Sequence, residues 1–179
     1  MSGWGIGEDK TGAVYYQHGW LHIKNYTYSE FSTTSYNFSA GEFDDFILEV
    51  ETKLVDGTDV NWHSVTCRTQ DTTDPRCYYF SIGADGHYVI GKNQNWEVIP
   101  FIPPTRSIYI LTDEDTVNLM RIECIGDNLR LSVNGHLLAE ASDSTYNSGY
   151  LGLTATAEVE KHGKQFSEIA FDNLIVTEP

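Results

Sequence analysis

Apolar and polar residues alternate along most of this chain, and this pattern limits what it can fold into more than any other feature of the sequence. In residues 46–53, Phe46, Leu48 and Val50 fall on one side of an extended strand, and the charged residues between them fall on the other. No segment has the spacing of an amphipathic helix. The same alternation, with β-branched and aromatic residues, predicts further strands over residues 78–82, 88–90, 119–125, 129–133, 150–155 and 169–176.

Turn residues separate these predicted strands. Asp85-Gly86 and Asn134-Gly135 supply the positive φ angles that tight hairpins need. Short strands with turn signals about every 8 to 12 residues are typical of an antiparallel β-sandwich rather than a parallel α/β sheet. We therefore expect an all-β protein with two antiparallel sheets. Residues 93–115, which contain Pro100, Pro103 and Pro104, are predicted to form a loop across one end of the sandwich.

The charge of the chain excludes two classes of partner. The sequence contains 11 Lys and Arg residues against 26 Asp and Glu residues, for a net charge of −15. Nucleic acids and anionic membrane surfaces are bound through clusters of basic residues, whereas the basic residues here are scattered singly. The apolar runs are also too short to span a bilayer. We therefore expect no nucleic-acid partner and no direct insertion into a membrane.

The length of 179 residues is typical of one domain, which we expect to extend over residues 1–179. The N-terminus has neither the basic nor the apolar region of a secretory signal. Two alternatives follow from this: the chain is cytosolic, or it is a segment of an exported protein.

Several short motifs follow one another in a definite order along the chain. The first is Ser2-Gly3-Trp4-Gly5 and the last is Phe171-Asp172-Asn173-Leu174. The ordered set resembles the extracellular concanavalin A-like (laminin G-like) jelly-roll domains of bacteria, including the 3-keto-disaccharide hydrolase-like domains of unknown function, over nearly the whole chain. The intervening motifs are Tyr16-x-x-Gly19-x-Leu21-x-Ile23, Phe43-x-Asp45-Phe46, Cys67-Arg68, Tyr79-Phe80-x-Ile82, Asn118-x-Met120-Arg121, Leu129-Arg130-Leu131-Ser132-Val133-Asn134-Gly135 and Gly149-x-x-Gly152-Leu153.

This resemblance implies a jelly roll with one concave face and with termini that lie close together. In the resembling domains a further strand usually precedes the Ser-Gly-Trp motif, and the present sequence starts at that motif. The resemblance therefore implies a fragment of a larger exported protein that lacks its first strand. It places that protein outside the cell or at the cell surface.

Carbohydrate binding requires flat aromatic faces for the C–H groups of a sugar, and amides or charged groups for its hydroxyls. Trp96 lies in a polar stretch, residues 93–96, and is the best exposed candidate. Any single aromatic residue can instead belong to the core of the sandwich. The predicted ligand-binding residues that border the concave face are Trp62, Tyr79, Trp96, Tyr109, Asn95 and Arg68, with Asn61, His63 and Asn93 as further polar partners.

Asp172 is the candidate metal ligand. Phe171 and Leu174 can both point inward only if a β-bulge at Asp172-Asn173 breaks the alternation. Jelly rolls of the resembling superfamily often hold a structural Ca²⁺ between the N-terminal segment and the last strand, which implies Asp172 with Glu8 or Asp9 here. The alternative is that Asp172 and Asn173 only cap the bulge through local hydrogen bonds.

The chain has three cysteines. The resembling domains often carry cysteines at the positions of Cys67 and Cys124, which implies a disulfide between these two. A Cys67–Cys77 disulfide across a hairpin is the competing arrangement. All three can also be reduced and buried as small apolar residues.

A catalytic role would require two carboxylates on either side of a glycosidic bond. Glu49 and Glu51 share one face of a predicted strand, which makes them the minority candidates. The laminarinase-type enzymes of this fold carry Glu-x-Asp-x-x-Glu, and the present sequence departs from that motif at Glu51 and Leu54. A solvent-exposed strand face explains the two glutamates equally well.

The sequence is therefore interpreted as a non-catalytic module of a bacterial surface or secreted protein that binds a polysaccharide or other glycan. One alternative is a structural, protein-interaction or sensor domain without a small ligand. The other is a hydrolase that processes glycosides or keto-disaccharides. A structural Ca²⁺ is the cofactor that the resemblance implies.

Overall fold

The computed structural model describes residues 3–26, 32–57, 61–71, 76–113, 116–157 and 166–179. Over these ranges, fourteen strands, numbered in chain order, form two antiparallel sheets. The eight-stranded sheet contains, in spatial order, β1 (Gly7–Glu8), β2 (Gly12–Gln17), β3 (Trp20–Asn25), β14 (Ser167–Thr177), β5 (Phe46–Asp56), β10 (Asn118–Ile125), β11 (Asn128–Val133) and β12 (His136–Ser142). The six-stranded sheet contains β4 (Ser32–Tyr36), β13 (Tyr150–Thr156), β6 (Trp62–Thr69), β7 (Cys77–Gly83), β8 (His87–Gln94) and β9 (Glu97–Arg106). A short 3₁₀ helix, Phe38–Ala40, follows β4.

The core lies between the two sheets and is formed by alternate residues of each strand. Phe46, Leu48 and Val50 of β5 are fully buried, as the alternation predicts. Tyr78 and Phe80 of β7 are buried on the other side of the same core. The predicted all-β sandwich is therefore confirmed. In the described residues no helix is long and apolar enough to cross a membrane.

The seven strands predicted from alternation are all present, but the loop predicted over residues 93–115 is wrong. Ten of its residues, Glu97–Arg106, form β9, a strand at the edge of the six-stranded sheet. Pro100, Pro103 and Pro104 lie within β9. Proline cannot donate a backbone hydrogen bond, but an edge strand has a neighbour on one side only, so it tolerates proline.

The predicted β-bulge in the last strand is confirmed. The register of β14 against β5 shifts between Asp172 and Ile175, and Asn173 has a φ of 51°. As a result Phe171, Leu174 and Val176 all pack against the core. Asp172 is left on the outer face of the eight-stranded sheet, across from Glu51.

Two of the three cysteines meet across the core. The Sγ atoms of Cys67 on β6 and Cys124 on β10 are 3.0 Å apart, and both side chains are thiols. Burial raises the pKa of the Cys67 thiol, and the contact with Cys124 raises it further. Cys77 lies on the opposite face of its sheet. This geometry favours the Cys67–Cys124 pairing over the Cys67–Cys77 pairing.

Candidate functional site

A groove of about 990 Å³ runs over the outer face of the six-stranded sheet. Its floor is formed by the residues of β6, β7 and β13 that alternate with the core residues. The segment from Gly5 to Gly12 lines the groove near β4, and the β8–β9 hairpin lines it at the other end of the sheet. The groove is open to solvent, and its floor consists of strand residues.

One row of the floor consists of small hydroxyl side chains on four adjacent strands. Thr34 pairs with Thr154, Thr154 with Ser64, and Ser64 with Ser81 in the register of the sheet. The hydroxyls of Thr34 and Thr154 are 2.9 Å apart, and those of Ser64 and Ser81 are 2.6 Å apart. Each hydroxyl can both donate and accept, so this row keeps hydrogen-bonding capacity toward the groove.

The neighbouring row alternates large and small residues. It runs from Tyr36 through Gly152, Thr66 and Tyr79 to Gly91. A Cβ atom at Gly91 would lie 2.4 Å from the Tyr79 hydroxyl, and one at Gly152 would lie 2.4 Å from Thr66 Oγ1. The two glycines therefore leave room for the side chains beside them.

Two polar atoms in the lining of the groove are buried without a hydrogen-bond partner in the described part of the chain. They are Thr66 Oγ1 and Asn93 Oδ1. The side-chain nitrogen of Asn93 is 3.8 Å from Cys77 Sγ, so the side-chain oxygen Oδ1 is the atom without a hydrogen-bond partner. An unpaired buried group costs about 1–3 kcal/mol, and a ligand that supplies the missing hydrogen bonds recovers this cost.

The most exposed aromatic side chain of the groove is Trp96, which is 70% exposed. It is the second residue of the two-residue turn between β8 and β9, in which Asn95 and Trp96 have φ angles of 54° and 64°. Such turns favour Asn-Gly, because a bulky side chain at positive φ is strained. Trp96 therefore has an unfavourable backbone conformation at the edge of the groove. Such strained residues are typical of functional positions.

The described acidic residues of the groove lie in its N-terminal wall. Asp9 accepts hydrogen bonds from the backbone nitrogen and hydroxyl of Thr11 at 2.7 and 2.6 Å. These hydrogen bonds lower the pKa of the Asp9 carboxyl, which keeps it ionised. Glu8 accepts a hydrogen bond from the hydroxyl of Tyr26 at 3.0 Å.

The structure brings three of the six predicted ligand-binding residues together. Trp62, Tyr79 and Trp96 line the groove, and Asn95 forms the turn beside Trp96. Tyr79 is only 7% exposed, and burial raises its pKa to about 12, so its hydroxyl stays protonated. Tyr109 lies outside the groove lining, where its ring stacks on His136 with centroids 3.8 Å apart.

The prediction that Arg68 binds a ligand is wrong. Its side chain is 1% exposed and is surrounded by hydrogen-bond acceptors of the protein itself. The guanidinium donates to the carbonyl oxygens of Asp44, Gly126, Tyr146 and Cys124 and to the Asp45 carboxylate, at 2.9 to 3.4 Å. Arg68 therefore connects three loops to β6 and has no access to solvent.

The predicted metal ligands do not come together. Glu8 pairs with Ala13, and that row of the sheet continues through Lys24 to Glu168 on β14. Asp172 lies four residues beyond Glu168 on β14, and β14 is three strands away from β1. Asp172 is therefore about 13 Å from Glu8 along the strand direction and about 14 Å from it across the sheet. In the ranges that the structure covers, no three His, Cys, Asp or Glu side chains form a metal-binding group. A calcium ion at Asp172 would need other oxygen ligands.

Glu49 and Glu51 lie on the outer face of the eight-stranded sheet and do not line the groove. Glu49 Oε1 is 2.8 Å from Arg121 Nη1, and Glu51 Oε2 is 2.9 Å from Asn173 Nδ2. Both carboxylates are thus engaged with side chains of their own sheet, on the side of the sandwich opposite the groove.

The hydroxyl floor is the part of the site that the sequence interpretation missed. Its signal is the stretch from Trp62 to Cys67, in which Trp62, Ser64 and Thr66 alternate with core residues. The small hydroxyl residues there are as compatible with a loop as with a strand, so β6 was not predicted.

The two sheets and their antiparallel strands define a jelly-roll β-sandwich. Residues 1–177 match the model of the 3-keto-alpha-glucoside-1,2-lyase-like domain, and the chain belongs to this family. The family confirms the resemblance drawn from the motifs. No curated protein sequence matches the chain.

Solved structures with the same fold include proteins of Bacillus subtilis and Parabacteroides distasonis. The carbohydrate-binding module CBM66 from Bacillus subtilis has a TM-score of 0.76 and 17% identity, and the match covers 100% of this chain and 97% of that chain. A protein of Parabacteroides distasonis that is named "putative glycosyl hydrolase" has a TM-score of 0.63 and 16% identity, with 99% and 94% coverage. A Bacillus subtilis protein of unknown function with a galectin-like fold has a TM-score of 0.64 and 13% identity, with 94% and 86% coverage.

Proposed function

We propose that this chain is a non-catalytic carbohydrate-binding domain and that the groove on the six-stranded sheet holds the saccharide. The observation that carries the proposal is the placement of Trp62, Tyr79 and Trp96 along a floor of hydroxyl side chains. Aromatic rings pack against the C–H faces of sugar rings, and hydroxyls and amides hydrogen-bond their polar edges. The likeness of the fold to a carbohydrate-binding module supports the same function.

The size of the groove fits a short stretch of a polysaccharide. Its volume of about 990 Å³ is at the upper end of the range of about 300–1,000 Å³ that is usual for small-molecule sites. Its open side lets a longer chain continue beyond the residues that touch the groove. We therefore infer that the ligand is an oligosaccharide or an exposed part of a polymer.

The carboxylates of the groove favour a binding role over hydrolysis. Hydrolysis of a glycosidic bond requires two carboxyl groups on opposite sides of the bond, about 5–9.5 Å apart. Glu8 and Asp9 are neighbours in sequence on one wall, and each is already hydrogen-bonded to a side chain close to it. The family name points to a lyase, so the binding assay should also measure released sugar, and we expect none.

Replacement of Trp96, at the edge of the groove, tests the proposal. Trp96→Gly is expected to weaken binding about tenfold, because loss of a stacking ring costs about 1.4 kcal/mol. It is also expected to raise the melting temperature slightly, because glycine relieves the positive φ at this position. The measurement is affinity electrophoresis and calorimetry against a panel of polysaccharides.

Tyr109→Ala is the matched control, because Tyr109 is an exposed aromatic residue outside the groove lining. It should leave the affinity unchanged. Binding to no polysaccharide, or an equal loss in both variants, would contradict the proposed site. The first result would favour a structural or protein-interaction domain instead.

A further inference from the structure

The groove lining has an unusual distribution of charge. It contains the carboxylates of Glu8 and Asp9, and no lysine, arginine or histidine among the residues that the structure covers. The chain as a whole carries a net charge of −15. A negatively charged ligand entering the groove would therefore approach two carboxylates, and no cation in the lining would offset their repulsion.

Lys10 lies next to Asp9 and its positive charge acts on the Asp9 carboxyl, but it does not line the groove. Two further positive groups on this side of the sandwich are engaged elsewhere. Lys92 Nζ, on the strand that carries Asn93, is 2.9 Å from the Asp143 carboxylate and 2.7 Å from the Thr145 hydroxyl. Arg68, on the strand that carries Thr66, is buried with five hydrogen bonds. Neither can reach a ligand in the groove without giving up these partners.

The unpaired acceptor in the groove lining favours a ligand group that can donate a hydrogen bond. Asn93 Oδ1 is an acceptor without a partner, and a carboxylate or sulfate can only accept. A sugar hydroxyl donates and accepts, so it can pair with Asn93 Oδ1 or with Thr66 Oγ1, which has no partner either. Ser64, Ser81, Thr34 and Thr154 offer the same kind of neutral hydrogen bonding.

We propose that the groove selects uncharged saccharides and rejects acidic polysaccharides such as uronates and sulfated or sialylated glycans. This inference rests on the proposed function, since it names the class of ligand for the same site. The carboxylates of Glu8 and Asp9 repel an anionic polymer. The hydroxyl groups of the floor are neutral, so they offer the charged groups of such a polymer no cationic hydrogen-bond donor.

A matched pair of polymers separates charge from sugar shape. Polygalacturonate and its carboxyl-reduced form, a neutral galactan, differ only in their acid groups. They should be titrated beside a panel of neutral glucans, mannans and fructans and of acidic alginate and chondroitin sulfate, at low and physiological salt. We expect measurable binding to at least one neutral polymer, and binding to every acidic polymer at least thirtyfold weaker.

Two variants test the residues. Glu8→Gln with Asp9→Asn should raise the affinity for acidic polymers. Glu49→Gln with Glu51→Gln, an equal charge change at two residues that do not line the groove, should not. Thr66→Val should weaken binding of the neutral polymer about tenfold while the melting temperature stays equal or rises, because the buried unpaired hydroxyl is removed.

The outcomes distinguish this inference from the proposed function. Acidic polymers that bind as tightly as neutral ones would overturn the selectivity and leave the carbohydrate-binding proposal intact. Binding to neither class would overturn both. Unchanged affinity in Thr66→Val, with the protein folded, would exclude the floor hydroxyl from recognition.

Discussion

Arg68→Met is expected to lower the free energy of unfolding by about 3–5 kcal/mol, because it leaves several buried carbonyl oxygens without a donor. The methionine fills much of the same volume, so the loss reports hydrogen bonds rather than a cavity. For a chain of this length the melting temperature should fall by about 10 °C or more. Urea unfolding followed by circular dichroism measures the change.

Arg121→Met is the control for this prediction. Arg121 pairs with Glu49 and Glu123 at 2.8 and 3.0 Å, but on an exposed sheet face. Exposed pairs contribute about 0–1 kcal/mol, so this variant should stay within that range of the parent. Equal effects at the two arginines would contradict the structural role assigned to Arg68.

Oxidation is expected to join Cys67 and Cys124 and to stabilise the fold by up to about 4 kcal/mol, since the bond would close a long loop in the unfolded chain. The two residues are 57 positions apart, and their Sγ atoms need to approach by about 1 Å from the observed 3.0 Å. Refolding in a glutathione redox buffer should yield this bond, since both thiols are buried in the native state.

Intact mass and peptide mapping measure the result. The crosslinked species should lose two hydrogen atoms, form in Cys77→Ser, and be absent from Cys67→Ser and Cys124→Ser. Three free thiols after oxidation, or a Cys67–Cys77 peptide, would contradict it. A bond that forms readily would agree with the predicted exported origin, since disulfides persist in oxidising compartments.

Local sequence patterns predict the sandwich well where one face of a strand is apolar. The alternation in β5 identifies its buried side, and the broken alternation after Phe171 locates the bulge at Asp172. The same reasoning fails at β9, which contains three prolines. Proline is excluded from central strands but tolerated in an edge strand, and the sequence alone does not reveal which strand lies at the edge.

The candidate site is less predictable because it depends on contacts between distant segments. Arg68 is a charged residue whose burial depends on carbonyls from loops at residues 44, 126 and 146, which only the folded chain brings together. Tyr109 and Trp96 are both aromatic residues of the segment predicted as a loop, yet Tyr109 lies outside the groove. Trp96 itself was predictable, because its polar surroundings already excluded the core.

The position of a bound sugar is the most direct test of this account. The neutral oligosaccharide that binds best should be titrated into isotope-labelled protein while amide and indole NMR shifts are recorded. We expect the changes to centre on β6, β7 and β13 and on the Trp96 indole, the elements that line the groove. Changes confined to the eight-stranded sheet or to the loop around Tyr109 would contradict the proposed site.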